Sequence, residues 1–115
     1  MQIEARKLLE DIRQATELIT GFVEGKSMAE YRSDALLRSG VERQFQIIGE
    51  ALSRLARVAP SVSGRLTYAS RVIAFRNILV HGYDIVEDET VWDIVQTHLP
   101  ALRRDVDAML GAEDP

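Results

Sequence analysis

Apolar side chains recur at three- and four-residue intervals through most of this chain of 115 residues. That spacing is the period of α-helices that bury one face, and it differs from the strict alternation of a half-buried strand. Glycine and proline number only 7 and 3, so few positions interrupt the pattern. We find no convincing strand. The repeat therefore predicts an all-α protein, and the length fits a single domain over residues 1–115 with one hydrophobic core.

The pattern divides into several helices with short connections. They cover about residues 2–23, 28–32, 34–58 and 66–80, and a last helix starts near 87. Gly25 is placed to end the first helix. Ser27 and Glu30 can form a capping box on the short second helix, and Ser33 could cap the next one. We expect an antiparallel four-helix bundle with the short helix as an addition.

Three points along the chain should interrupt these helices. Pro60 opens a short segment with loop composition. His81 and Gly82 have the composition of a helix C-terminus, and the glycine is free to adopt a positive φ. Pro100 lies inside the apolar pattern of the last helix. It should kink or split that helix near His98, because proline lacks an N–H and clashes with the preceding turn.

Charge is distributed unevenly along the chain, whose net value is −4. Residues 32–76 carry eight basic and three acidic side chains, whereas residues 77–115 carry two basic and nine acidic ones. The basic side chains of the middle stretch are all arginine, which suits bidentate contact with phosphate. An acidic last helix paired against this stretch inside the fold would explain the same pattern. Both alternatives remain open at this point.

Several classes of protein are excluded by what the sequence lacks. It has no cysteine, which excludes disulfides, thiol catalysis and thiolate metal sites. Its two histidines are far apart without a carboxylate at ligand spacing, so no metal site is predicted, and His98 is expected to pack in the core. No apolar run approaches the ~18–20 residues of a membrane span, and the start lacks a signal peptide's apolar centre. We therefore expect a soluble cytoplasmic protein with no membrane partner.

One short stretch gathers a permanent cation, an amide, an imidazole and a phenol: Arg76, Asn77, His81 and Tyr83. In an unbroken helix Arg76 and His81 would lie about 140° apart around the axis. They converge if the helix ends near Val80 and the chain turns back at Gly82. Taken singly, each residue also fits an ordinary helix C-terminus closed by glycine.

Other residues could support such a site. Arg43 and Glu50 lie seven residues apart on one helical face, where they could support a cleft or belong to an ion-pair network between helices. Trp92 is expected in the core or at a dimer interface.

The spacing of Arg76, His81 and Tyr83 resembles the signature of HEPN domains. The resemblance extends over nearly the whole chain and is specific to the HepT-type branch, in the blocks 41–52, 75–83, 91–94 and 99–100. The departures are Phe75, where a methionine is common, and the acidic run at 87–89.

This resemblance implies a small all-helical homodimer whose signature residues line a cleft between protomers. It implies a metal-independent endoribonuclease without cofactor, in which Arg76 and His81 are catalytic and Asn77 assists. HepT-type members are toxins of type VII-like toxin–antitoxin pairs. Their antitoxin, a minimal nucleotidyltransferase, transfers AMP to the signature tyrosine, here Tyr83. We therefore expect RNA as substrate and this antitoxin as partner, in a dimer or a larger hetero-oligomer. The alternative is a catalytically silent helical module that binds nucleotides or only its partner.

Overall fold

The computed structural model describes residues 1–112, and within them it contains helices and no strand. The elements, in chain order, are α1 (Ile3–Val23), α2 (Met28–Ser33), α3 (Ala35–Val58), α4 (Pro60–Ser63), α5 (Ala69–His81), a 3₁₀ turn (Tyr83–Ile85), α6 (Asp88–Asp93), a π turn (Ile94–His98) and α7 (Leu99–Ala112). The predicted all-α class is confirmed. Four long units form the bundle: α1, α3, α5, and α6 continued through the π turn into α7.

The long helices pack as antiparallel neighbours. The start of α1 lies by the end of α3, where Glu4 faces Arg54 at 3.8 Å. The end of α1 lies by the start of α3, where Phe22 is against Gly40. The helix α3 also packs along α5, and α1 packs along α7. As a result α3 lies between α1 and α5, and the candidate site lies on the outer side of these three helices.

The core follows the helical period read from the sequence. In the middle of the bundle it is filled by large side chains of α1, α3 and α7 that are fully buried: Leu9, Ile12, Ile19, Phe45, Ile48, Leu52, Leu55, Leu102 and Leu110. Phe45 meets Phe75 of α5 edge to face, with ring centroids 5.2 Å apart. Trp92 is partly buried and packs against the ring of Tyr31 at 5.6 Å.

The helix caps were predicted with one error. Ser27 and Glu30 form the expected capping box at the start of α2. Ser33, however, does not cap α3, because it is still the last residue of α2, where its hydroxyl donates to the Glu30 carbonyl at 3.2 Å. The cap of α3 is Asp34, whose carboxylate accepts the Leu37 N–H at 3.0 Å. Serine and aspartate are both good caps, so their order in sequence could not decide between them.

Two predictions about the segment between α3 and α5 were wrong. Pro60 begins a helical turn, α4, and not a loop, since a residue without an N–H is suited to a first helical turn. The helix α5 starts at residue 69 and not at 66, because Tyr68 takes a left-handed conformation with φ 66°. Just before it, the Thr67 N–H donates to Asp105 Oδ2 of α7 at 2.7 Å. The start of α5 is thereby tied to the last helix.

The last helix changes its hydrogen-bonding pattern where Pro100 was expected to disturb it. The Leu99 N–H bonds the carbonyl of Ile94, five residues earlier, which closes a π turn. A wider turn just before proline leaves room for its ring without ending the helix. His98, in this turn, is buried as expected, and its Nε2 lies 3.1 Å from the Arg71 guanidinium.

Within residues 1–112, no helix has the length and the hydropathy that crossing a membrane requires.

Candidate functional site

Arg76 is held at the surface of the bundle by two polar neighbours. Its Nη2 donates to Glu50 Oε2 of α3 at 3.3 Å, and its Nη1 donates to Asn77 Oδ1 at 3.1 Å. The Arg76 side chain is 26% exposed, and its Nε is buried with no hydrogen-bond partner in the part of the chain described. The guanidinium is thus oriented by protein contacts while one edge of it stays open to solvent.

The lack of a side chain at Gly49 allows Arg76 to lie this close to α3. Gly49 of α3 is buried, and a Cβ added there would lie 2.5 Å from the Arg76 Cγ and closer still to the Arg76 Cβ. Real Cβ contacts are essentially never that short. With any other residue at this position, α5 could not pass α3 so closely, and the Arg76 guanidinium would be displaced from Glu50.

His81 and Tyr83 both face solvent at the far end of α5. His81 is the last residue of the helix and is exposed, and the Tyr83 side chain, in the 3₁₀ turn that follows, is 77% exposed. Within residues 1–112, neither side chain makes a hydrogen bond to another residue. Both are therefore free to meet a substrate or a partner.

The turn that was expected to bring Arg76 and His81 together does not form as predicted. The helix ends where it was predicted to, with His81 as its last residue and Gly82 as its C-cap, but the chain does not turn back there as expected. Gly82 has φ −136°, outside the positive region that only glycine visits easily. The two side chains keep their helical separation, and no contact joins them directly.

Asn77 provides the connection that the turn does not. It lies four residues before His81 in the same helix, so the two share a face with Cβ atoms about 5–6 Å apart. The Arg76 guanidinium bonds the Asn77 amide, so this amide links the cation to the helix face that carries His81.

A polar groove runs beside Arg76 on the outer side of α1, α3 and α5. Its volume is about 330 Å³, and its lining comprises Leu8, Asp11, Arg43, Gln46, Ile47, Glu50, Ala51, Arg54, Arg76 and Val80. Arg43 and Glu50, which were picked from the sequence as supporting residues, therefore meet Arg76 in one cavity. His81 and Tyr83 do not line it.

Few ion pairs join the basic stretch of residues 32–76 to the acidic stretch that follows it. Among the basic residues of 32–76, within the part of the chain described, only Arg32 forms an ion pair with the acidic stretch that follows, through Glu89. Arg76 and Arg54 pair with carboxylates elsewhere, Glu50 and Glu4. Internal neutralisation by the last helix therefore accounts for little of the basic stretch.

No set of three or more histidine, aspartate or glutamate side chains in residues 1–112 is arranged to hold a metal ion.

Comparison with known proteins places these features in a family. The sequence pattern of the family described as ribonuclease HepT-like matches residues 12–109, most of the chain. The chain belongs to the HepT-like ribonuclease family. This membership confirms the resemblance read from the sequence and the predicted enzyme class, an RNA nuclease.

The chain is also similar to individual proteins over most of their length. The chain is 28% identical to a protein of Thermococcus cleftensis named "Probable ribonuclease HepT", over 90% of this chain and 93% of that protein. It is 27% identical to a protein of Caldanaerobacter subterraneus subsp. tengcongensis named as a "Putative RNase", over 94% of this chain and 96% of that protein. No solved structure is significantly similar to the chain.

Two residues of the candidate site were not identified from the sequence. Gly49 was seen only as part of a resembling block, because its need for a missing Cβ depends on a helix that crosses it from 27 residues away. Arg54 was given no role. Its spacing of eleven residues from Arg43, three helical turns, was a signal that both point into the same groove.

Proposed function

We propose that this HepT-like protein is a metal-independent endoribonuclease and the toxin subunit of a toxin–antitoxin pair. The observation that supports this best is the Arg76 guanidinium, oriented by Glu50 and by Asn77, the residue that shares a helix face with the exposed His81. RNA brings its own nucleophile, the 2′-hydroxyl, so the site needs only to move protons and stabilise charge. Residues of these types can do both.

The reaction is an attack by the 2′-oxygen on the adjacent phosphorus. His81 accepts the 2′-hydroxyl proton, the new O2′–P bond forms, and the bond from phosphorus to the 5′-oxygen breaks. Arg76 stabilises the negative charge that gathers on the non-bridging oxygens of the transition state. The departing 5′-oxygen takes a proton from a protonated imidazole. The products are a 2′,3′-cyclic phosphate and a free 5′-hydroxyl.

A second copy of the chain would supply the protonated imidazole that acts as the acid. Within one chain, residues 1–112 contain only one exposed histidine, His81, since His98 is buried. A homodimer with the ends of both α5 helices at one cleft would bring two His81 side chains to one phosphate, one as base and one as acid. The cleft would then be completed by the dimer, with Tyr83 of each copy at its edge.

We further propose that a nucleotidyltransferase antitoxin silences the enzyme in the cytoplasm by transferring AMP to Tyr83. The exposed phenol is accessible to another enzyme. An added AMP would bring bulk and negative charge beside a cleft that has to accept phosphate, and it would exclude RNA by occlusion and repulsion.

The test is cleavage of an RNA oligonucleotide in the presence of a metal chelator. We expect the wild-type dimer to cleave and His81→Ala to lose at least roughly 100-fold in rate, the usual contribution of a general acid or base. Arg104→Gln, a charge change at an exposed residue of α7, should cleave like the wild type. Equal rates for His81→Ala and the wild type would refute the role of His81. No cleavage by the wild type, together with tight binding to the antitoxin, would favour the catalytically silent module.

A further inference from the structure

The groove beside Arg76 carries a row of three guanidinium groups. We propose that this groove is a phosphate track for single-stranded RNA, in which Arg43 and Arg54 bind phosphates on either side of the one held at Arg76. The proposal rests on the proposed ribonuclease function for its substrate class. It adds the path of the strand away from the cleaved bond and gives Arg54 a role in binding.

The three arginines follow one another along the axis of α3. Arg76 reaches α3 at the level of Gly49 and Glu50. With a rise of 1.5 Å per residue, Arg43 lies about 10 Å before Glu50, and Arg54 lies about 6 Å after it. At 100° per residue, the α3 positions of Arg43, Glu50 and Arg54 fall within about 40° of one another around the helix axis, so they share one face. The order along the groove is therefore Arg43, Arg76, Arg54.

The carboxylates in the groove do not neutralise the two outer arginines. Asp11 is paired with Lys7, and Glu50 is paired with Arg76 at 3.3 Å. Arg43 has no ion pair in the described part of the chain, and its one side-chain hydrogen bond is to Gln46 at 3.5 Å.

Arg54 is held almost as loosely. It faces Glu4 at 3.8 Å, with both side chains more than half exposed, a type of pair that contributes little in water. Both outer guanidinium groups are thus available to a ligand at little cost.

A linear polyanion fits this arrangement better than a compact one. A row of guanidinium groups that spans about 16 Å cannot converge on one phosphate, but it can contact successive phosphates of one strand. Each arginine can contact two oxygens of a phosphate through its planar fork. Leu8, Ile47 and Val80 add apolar surface to the same groove, against which sugars and bases can rest.

The experiment measures binding of a 2′-O-methyl oligonucleotide, which lacks the 2′-hydroxyl and so cannot be cleaved. Dissociation constants at several salt concentrations are compared for the wild type, Arg43→Gln, Arg54→Gln and the control Arg104→Gln. We expect each groove variant to bind roughly tenfold more weakly, and its dependence of log K on log salt to fall by about 0.7, the value for one phosphate contact on a single strand. The control should stay within about twofold of the wild type.

Substrate length provides a second readout. On an oligonucleotide of eight nucleotides, Arg43→Gln and Arg54→Gln should raise KM more than they lower kcat. On a dinucleotide with a single phosphate, they should behave like the wild type, whereas Arg76→Gln should remain impaired.

Either of two results would overturn the track. In one, both groove variants bind the long oligonucleotide as the control does. In the other, they lose affinity for a poly-glutamate peptide and not for RNA. Failure of the proposed function gives a different result, because an inactive protein that still binds the uncleavable strand through Arg43 and Arg54 would retain the track without the cleavage.

Discussion

At the scale of single residues, Tyr83 differs from the other tyrosines in its environment. Its side chain is 77% exposed, whereas Tyr31 is fully buried with a hydroxyl that has no hydrogen-bond partner in residues 1–112. Tyr68 is partly buried against the ring of His98. A transferase needs access to the phenolic oxygen, so exposure alone favours Tyr83 as the site of modification.

We predict that coexpression with the nucleotidyltransferase adds AMP to the wild-type protein at Tyr83 and adds none to Tyr83→Phe. In this reaction the phenolic oxygen attacks the α-phosphorus of ATP and pyrophosphate leaves. Intact mass and peptide mass spectrometry measure the added groups. Modification of Tyr83→Phe to the same extent, or AMP found on Tyr68, would contradict the assignment. Because the substitution keeps the ring, the unmodified variant should still cleave RNA.

At the scale of the elements, the position of Arg76 depends on how closely α5 crosses α3. Gly49 is the contact point, and a Cβ there would meet the first side-chain carbons of Arg76. The helix α5 is also held by other contacts: just before its start the Thr67 N–H bonds Asp105, and in its middle Phe75 packs against Phe45. A side chain at Gly49 must therefore push against packed core.

We predict that Gly49→Ala destabilises the fold by about 1–3 kcal/mol, the usual cost of overpacking, and lowers RNA cleavage because Arg76 loses its place beside Glu50. Urea unfolding and cleavage rates measure the two effects. Gly21→Ala is the matched control, since a Cβ there meets nothing within 4 Å and alanine favours the helix by roughly 0.5–1 kcal/mol. Equal stability of the two variants would show that the close crossing does not constrain α5.

For the molecule as a whole, one half-buried carboxyl should make stability depend on pH. Burial raises the pKa of Glu42 above its ordinary value, the charge of Asp88 raises it further, and Arg38 offsets part of the rise. These groups come from α3 and the start of α6, next to the buried Tyr31 of α2, whose own pKa is raised by the same burial and by Glu42. Three helices thus meet around a carboxyl whose pKa is higher in the folded protein than its ordinary value.

The folded state therefore binds a proton at Glu42 more tightly than the unfolded chain does. The resulting stabilisation is present below the ordinary glutamate pKa of about 4.3, and it is lost as the pH rises through the raised pKa. We predict that Glu42→Gln becomes more stable than the wild type as the pH rises from the ordinary glutamate pKa through the raised pKa of Glu42. Below the ordinary pKa, the variant should have no advantage in free energy of unfolding. Urea unfolding at a series of pH values measures the difference. Glu24→Gln, at an exposed position, is the control. A difference between Glu42→Gln and the wild type that does not change with pH would contradict the prediction.

Much of this architecture could be read from the chain because it depends on local chemistry. The helical period predicted helices with one buried face, and His98 packs in the core of the last helix as expected. The capping box at Ser27 formed as predicted, since its hydrogen bonds join residues three apart. The errors fell where two local choices were nearly equal, as with Ser33 and Asp34 as caps, or where a distant contact intervened, as at the start of α5.

The candidate site also combines features that could be predicted from local sequence with features that depend on distant contacts. The available chemistry follows from the chain alone, because Arg76, Asn77, His81 and Tyr83 stand in one short segment and their types and spacing do not depend on the fold. Their arrangement in space depends on how the helices pack. The helix continues through His81, so no turn brings imidazole and guanidinium together. Glu50, Gly49 and the groove residues of α1 and α3 define the surroundings of Arg76, because the contact of one helix with another depends on packing across the bundle and not on neighbours in the chain.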